Sequence, residues 1–112
     1  MNKRYIPGLL SSLLIAHAGS VMAQGASTEG DAVAGRLAAE TCLGCHAVEG
    51  YFNVYPSYQV PKLGGQQAGY IASALKGYKD GSRKHNTMHA NAVNLSDEAI
   101  ADIAAYFASQ GK

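Results

Sequence analysis

Apolar residues recur at helical spacing in three segments of the chain, which predicts three main helices. The first segment begins near Asp31, whose carboxylate suits the positive N-terminal end of a helix, and the pattern runs into Cys42. Its apolar positions are Val33, Ala34, Leu37 and Ala38. A helix is therefore expected to lead directly into the first cysteine.

Two further helices are predicted in the C-terminal half. The second extends from about Ala68 to Lys79 and stops before Gly81, which suits the left-handed turn after a helix. The third begins after Ser96, a good N-cap, with acidic residues in its first turn. Their apolar stripes are Ile71, Ala74, Leu75 and Tyr78 in the second helix and Ile100, Ile103, Ala104 and Phe107 in the third. No strand pattern competes, so an all-α fold is expected.

Two loops separate these helices. The shorter loop is residues 82–95. Residues 47–67 form the longer one, because they are rich in Gly, Pro, Tyr and Asn, a composition that favours turns and extended backbone. A loop of this length is uncommon in a compact domain unless it has a function, and wrapping a ligand is the usual one. Candidate contacts to such a ligand are Tyr51, Phe52, Tyr55 and Tyr58.

The N-terminal segment has the pattern of a secretory signal peptide. Lys3 and Arg4 precede a mostly apolar run over residues 5–16, and Val21-Met22-Ala23 matches a small-x-small cleavage site. Residues 1–23 are therefore expected to be removed on export to the periplasm.

The rest of the chain divides simply. Residues 24–30 are small and polar and are expected to form a flexible lead-in, and residues 31–112 are expected to form one domain. The alternative for residues 1–23 is an uncleaved anchor, because no charged residue occurs between Tyr5 and Thr28. Several Gly, Ser and Pro dilute this stretch, whereas a membrane span needs about 20 apolar residues.

Charge and cysteine content narrow the possible functions. Nine Lys and Arg face eight Asp and Glu, a balance that gives no reason to propose a nucleic-acid partner. An oxidising compartment normally turns a lone pair of cysteines into a disulfide. The two cysteines of this chain are not expected to form a disulfide, because they belong to a specific motif.

The motif is Cys42-Leu43-Gly44-Cys45-His46, and a Cys-x-x-Cys-His run is the attachment signature of c-type haem. Two thiols at this spacing on a helical turn can add to the two vinyl groups of the porphyrin. His46 then lies where its imidazole can reach the iron. One haem c is predicted, bound covalently through thioethers to Cys42 and Cys45, with His46 as an iron ligand.

Three alternative roles for the cysteines fit the pattern less well. A thioredoxin-type dithiol is expected after a strand, whereas this pair follows a predicted helix. A zinc site needs four ligands, and recruiting His85 and His89 to complete it would leave His46 without a role. A disulfide across so short a loop removes little chain entropy and is a weak stabiliser.

The second axial ligand is predicted to be Met88, the only methionine in residues 24–112. Met/His ligation is the arrangement of electron-carrying c-type cytochromes. A lone Met is more often core filler, but this one lies in the second loop between polar Thr87 and His89. His85 and His89 are the alternative axial ligands.

An ordered set of short matches makes the chain resemble the class I (mitochondrial-type) cytochrome c family, in the bacterial branch whose di-haem members join two such domains. The matches extend over nearly all of residues 31–109. They are Gly35, the haem motif, Pro61-Lys62-Leu63-Gly64-Gly65-Gln66, Gly81-x-Arg83, Met88, and Leu95-Ser96-Asp97 ahead of Ala104-Ala105-Tyr106-Phe107. The resemblance implies a small all-α class I cytochrome c fold, with three main helices and long loops wrapped around one covalently bound haem.

The resemblance also implies roles for single residues. Gly35 would let the first helix cross closely over the last one near Tyr106, and the carbonyl of Pro61 would accept the second ring N–H of His46. The sequence differs from the family pattern at two places, which limits how far the roles of family residues can be assigned to this chain. The stretch between His46 and Pro61 is a few residues longer than this branch leads us to expect, which puts the contact surface of the loop in doubt. Ala39 stands where a larger, often aromatic, residue is common, which indicates different packing at the helix crossing.

Three functions are compatible with these features. The first is a diffusible carrier, without enzymatic activity or stable membrane insertion after signal cleavage, that moves single electrons between donor and acceptor proteins. The second is a subunit held against a periplasmic dehydrogenase or reductase, with residues 51–58 as its docking surface. The third is a haem enzyme or gas sensor, which requires an open or weak sixth position, and Met88 argues against it. Five basic residues could surround the exposed haem edge and attract an acidic partner, or they could be ordinary solvated charges. They are Lys62, Lys76, Lys79, Arg83 and Lys84.

Overall fold

The computed structural model describes residues 29–111, and within that range the chain forms five helices and one two-stranded antiparallel sheet. In chain order these are α1 (Ala32–Ala38), α2 (Glu40–His46), β1 (Phe52–Val54), β2 (Ser57–Gln59), α3 (Ala68–Asp80), α4 (Asn86–Ala92) and α5 (Asp97–Ser109). The predicted signal peptide, residues 1–23, and most of the lead-in lie outside the described residues. The mostly helical architecture confirms the expected fold class, with a short hairpin added.

α3 ends and α5 begins where their sequence signals predict. α3 stops at Gly81, which adopts a φ of 80° that a residue with a side chain rarely takes up. At the start of α5 the hydroxyl of Ser96 accepts a hydrogen bond of 3.0 Å from the backbone N–H of Ala99. The core joins their apolar stripes to the α1–α2 joint and α4, and its buried members are Ala39, Ile71, Leu75, Ala92, Ile100, Ile103, Ala104 and Phe107.

The apolar stripe that predicts α1 is not the face that α1 buries. Val33 and Leu37 are 80% and 75% exposed, whereas Gly35 is buried. A Cβ atom at Gly35 would collide with the backbone carbonyl of Asp102 in α5 and would lie 2.9 Å from the Cβ of Tyr106. The two helices therefore approach each other backbone to backbone, as the family resemblance implies, and only small residues fit between them.

The expected single helix leading into the cysteine motif is two helices. The helical geometry is interrupted at Ala39, which has a φ of −86° and a ψ of 1° and is fully buried. α2 then starts at once, with the N–H of Cys42 donating to the carbonyl of Ala39 at 2.8 Å. Alanine is a strong helix former, so nothing local signals this break. The break between α1 and α2 coincides with the burial of Ala39 in the core.

Both predicted loops contain regular structure that the sequence pattern did not reveal. In residues 47–67, β1 pairs with β2 and places Asn53 opposite Tyr58. Strands of three residues are too short to show a convincing alternation. In residues 82–95, the seven-residue helix α4 carries Met88, which is therefore on a helix and not in a loop.

Gly35→Ala is expected to lower the free energy of unfolding by about 1–3 kcal/mol, because the added methyl group overpacks the contact between α1 and α5. Chemical denaturation of the purified protein measures the change. Gly69→Ala is the matched control, since no heavy atom from outside α3 lies within 4 Å of the added carbon. The control should be as stable as the wild type or slightly more stable. Equal stability of the two variants would contradict the close crossing.

Candidate functional site

A cavity of about 460 Å³ opens between α2, α3, α4 and residues 58–66. Its walls are mostly apolar, and α3 contributes Ile71 and Leu75 from the core. The volume lies in the usual range of ligand and cofactor pockets, about 300–1,000 Å³. All five residues that the sequence predicts for the site line this one cavity, and they are Cys42, Cys45, His46, Pro61 and Met88.

The cysteines lie one helical turn apart on α2, so both reach the cavity wall. Cys42 is half-buried against the core, and Cys45 is exposed. Burial is the main cause that raises the pKa of the Cys42 thiol. Dithiols that work by redox exchange have a lowered pKa on the attacking thiol. The environment of Cys42 thus differs from that of a thioredoxin-type cysteine.

His46 is the last residue of α2 and is only 8% exposed. Its Nδ1 lies 2.7 Å from the carbonyl oxygen of Pro61. A carbonyl oxygen can only accept a hydrogen bond, so Nδ1 carries the proton and donates. The N–H of Leu63 also donates to the carbonyl of His46 at 3.2 Å, which ties the two segments together. In the neutral imidazole the other ring nitrogen, Nε2, then keeps a free lone pair and can bind a metal ion.

Met88 reaches the same cavity from α4. Its side chain is half-buried and packs against the core. α4 packs on α3, and α3 packs on α5. An imidazole from α2 and a thioether from α4 therefore line one cavity, although the two residues are far apart in the chain.

The alternative ligands His85 and His89 use Nδ1 for other contacts. His85 lines the cavity, and its Nδ1 accepts a hydrogen bond of 3.3 Å from the N–H of Met88. His89 is exposed, and its Nδ1 lies 2.7 Å from the carbonyl oxygen of Tyr78, to which it donates. Of these two histidines, only His85 contributes to the cavity wall.

Two tyrosines and one arginine complete the cavity wall, and of these the sequence analysis had named Arg83 and Tyr78 but not Tyr70. Tyr70 and Tyr78 come from α3, and the guanidinium carbon of Arg83 lies 4.9 Å from the ring centre of Tyr78 and 5.9 Å from that of Tyr70. These are cation–π distances. Helical spacing was the available signal, since Tyr70 precedes Ala74 by four residues and both line the cavity.

The aromatic residues of the long loop contribute less than expected. Tyr58 lines the cavity, with its ring edge-on to His85. Phe52 and Tyr55 are 54% and 94% exposed, and Tyr51 is not among the cavity-lining residues. Of the four candidate contacts, Tyr58 is therefore the one that lines the cavity.

The basic residues near the cavity are partly neutralised. Lys62 lies 2.7 Å from a carboxylate oxygen of Glu49, and Lys79 lies 3.7 Å from one of Asp97. Exposed ion pairs contribute little to stability, but they reduce the net positive charge that a partner meets. Of the five basic residues named from the sequence, Lys62 and Arg83 line the cavity.

Two further observations concern residues 29–111 alone, and the anchor alternative for residues 1–23 lies outside them. No helix in that range is long and apolar enough to cross a membrane. Within the same residues, no group of three or more His, Cys, Asp or Glu side chains is arranged to hold a metal ion. The cysteines therefore do not meet His85 and His89 as a zinc site would require.

Comparison with known proteins agrees with the geometry. A family model described as cytochrome c matches residues 32–111. The chain is 48% identical over 84 residues to cytochrome c-554(548) of Halomonas halodenitrificans, covering 72% of this chain and 98% of that protein. It is 42% identical over 102 residues to cytochrome c4 of Pseudomonas aeruginosa, covering 91% of this chain but 48% of that protein. The chain thus spans about half the length of this cytochrome c4.

A third relative carries a different description. The chain is 33% identical over 78 residues to the cytochrome subunit of sulfide dehydrogenase of Chlorobaculum tepidum, covering 70% of this chain and 67% of that protein. Similarity therefore extends both to cytochromes named on their own and to one named as part of an enzyme.

Proposed function

This chain belongs to the cytochrome c family, and we propose that it carries one haem c and moves single electrons between donor and acceptor proteins in the periplasm. Family membership makes it a haem-binding electron-transfer protein. The observation that carries the finer proposal is the cavity itself, which is lined by both thiols of the motif, the imidazole of His46 and the thioether of Met88.

The donor set of the cavity fits a haem c. Cys42 and Cys45 would hold the porphyrin through two thioethers, and His46 and Met88 would take the two axial positions on the iron. The hydrogen bond from His46 to Pro61 would fix the imidazole tautomer and make Nε2 a stronger donor. A bound haem supplies an iron that takes up and releases one electron.

The other walls of the cavity suit a large, mostly apolar group with charged edges. Ile71 and Leu75 would exclude water from one side. Arg83 is in neither of the two salt bridges found within residues 29–111, and it would meet the negative charge of the propionate groups. Burying such a group would also enlarge a core that is small and rich in alanine.

The carrier function depends on Met88. With its thioether on the iron, Met88 would leave no open site for oxygen or peroxide, and the iron would keep the same number of ligands in both oxidation states. Electron exchange then needs little rearrangement. This is the reason to prefer a carrier to a haem enzyme or gas sensor.

A second candidate function is a subunit bound to a dehydrogenase or reductase. The hairpin favours it, because Phe52, Val54 and Tyr55 are 54%, 86% and 94% exposed on an apolar surface beside the cavity. Relatives include a cytochrome subunit of sulfide dehydrogenase and a thiosulfate dehydrogenase electron acceptor. Purification from the native periplasm separates the two candidates, since a bound subunit should co-elute with one enzyme in fixed ratio.

Mass spectrometry of the exported protein tests the proposed function directly. The expected product is residues 24–112 plus the mass of one haem, linked to the peptide that contains Cys42 and Cys45. A variant with both cysteines replaced by Ser should carry no covalent haem. Free thiols, or a disulfide between the two cysteines, in the native product would contradict the proposal.

A further inference from the structure

The helix α4 needs outside support to hold its place. It has seven residues, and isolated helices shorter than about 12 residues are marginal in water. One support lies at its C-terminal side, where His89 donates to the carbonyl of Tyr78 on α3. The other lies at its start, in the turn that contains Met88.

His85 is the residue immediately before α4, and its side chain caps the helix. Its backbone is extended, and its Nδ1 accepts the N–H of Met88 at 3.3 Å. This N–H is one of the four at a helix start that find no partner within the helix. The capped residue is therefore the same one that carries the thioether.

The imidazole of His85 is held by two other elements. The ring of Tyr58 from β2 stands edge-on to it, with 4.9 Å between ring centres and an angle of 89°. The ring of Tyr78 from α3 lies 6.3 Å away at 74°. The hydroxyl of Tyr58 also lies 3.5 Å from that of Thr87 in the first turn of α4. Hairpin, α3 and α4 thus meet at this histidine.

We propose that His85 is a positioning residue for Met88: its imidazole caps α4 and so holds the thioether in the cavity. The inference rests on the proposed function, in which Met88 is an axial ligand. Losing the cap frays the first turn of α4, and Met88 belongs to that turn. The thioether should then leave its place more often, so that an external ligand enters the sixth position faster.

Cyanide binding to the ferric holoprotein measures this opening. His85→Ala should bind cyanide about fivefold to tenfold faster than the wild type, the size expected for a lost cap, and should lose intensity in the absorption band that reports thioether–iron ligation. His85→Asn should stay near the wild type, because Asn is among the best capping residues. Asn86→Ala is the matched control on the same turn, since Asn86 is exposed.

The variants separate the possible failures. A wild-type rate in His85→Ala, or equal rates in His85→Ala and His85→Asn, would overturn the capping role. Met88→Ala is the reference, and a wild-type rate in that variant would overturn the proposed ligand and not only the cap. Where His85→Ala does not assemble, His85→Gln gives the same comparison, because Gln is a poor cap.

Discussion

A His46→Ala variant is expected to lose its stable low-spin haem. His46 follows Cys45 directly, so the two thioether links would hold the iron next to its imidazole, whereas His85, which also lines the cavity, lies beside Met88. The hydrogen bond to Pro61 fixes that ring in the orientation that leaves Nε2 free. The ferric absorption spectrum of the purified variant should change from low-spin to high-spin, and yields of haem protein should fall.

His89→Ala is the matched control for this experiment. His89→Ala removes one contact between α4 and α3 but leaves both proposed ligands in the chain, so the variant should keep a low-spin haem. A native-like spectrum in His46→Ala would move the axial ligand to another residue. The comparison separates the loss of one particular imidazole from the loss of any histidine.

Replacement of Met88 is expected to change the reactivity of the protein and to leave haem attachment intact. Met88→Ala should open the sixth position, so that carbon monoxide binds rapidly to the ferrous protein. Met88→His should stay six-coordinate but lower the reduction potential, because a thioether favours ferrous iron more than an imidazole does. The shift should be a sizeable fraction of the roughly 0.8 V range that axial ligation sets.

Redox titration and ligand-binding spectra of the wild type and both Met88 variants test whether Met88 fills the sixth position. The result for the wild-type protein decides between a carrier and an open haem site. Rapid carbon monoxide binding by the wild-type ferrous protein would contradict the proposed carrier function, since it would mean that the sixth position is open before any mutation. Slow binding by the wild type and rapid binding by Met88→Ala together support a filled position.

Replacement of His46 and replacement of Met88 should affect haem retention differently. His46 is next to the covalent links and is buried, so its loss removes a ligand that nothing nearby can replace. Met88 lies on a short helix that other elements hold in place, so its loss vacates a position in a protein that still carries its haem. An equal fall in the yield of haem protein in His46→Ala and Met88→Ala would therefore contradict the assigned roles.

The sequence by itself determined the features that depend on neighbouring residues. The haem motif is five consecutive residues, and its chemistry follows from their spacing. The helices α3 and α5 were predictable because their apolar stripes, the glycine at position 81 and the cap at Ser96 are local signals. Met88 could be singled out because residues 24–112 contain no other methionine.

Only the tertiary structure decided the features that depend on residues far apart in the chain. α1 turns Gly35 and not Leu37 towards α5, because a backbone-to-backbone crossing has no room for a large side chain. The hairpin and α4 are too short to have a periodic signal, and the contacts of Tyr58 with His85 and Thr87 lie between them. Arg83 becomes part of the cavity only because the turn after α3 folds back over the tyrosines of that helix. Local patterns record which residues can form an element, whereas packing between elements decides which face is buried and which side chains share a cavity.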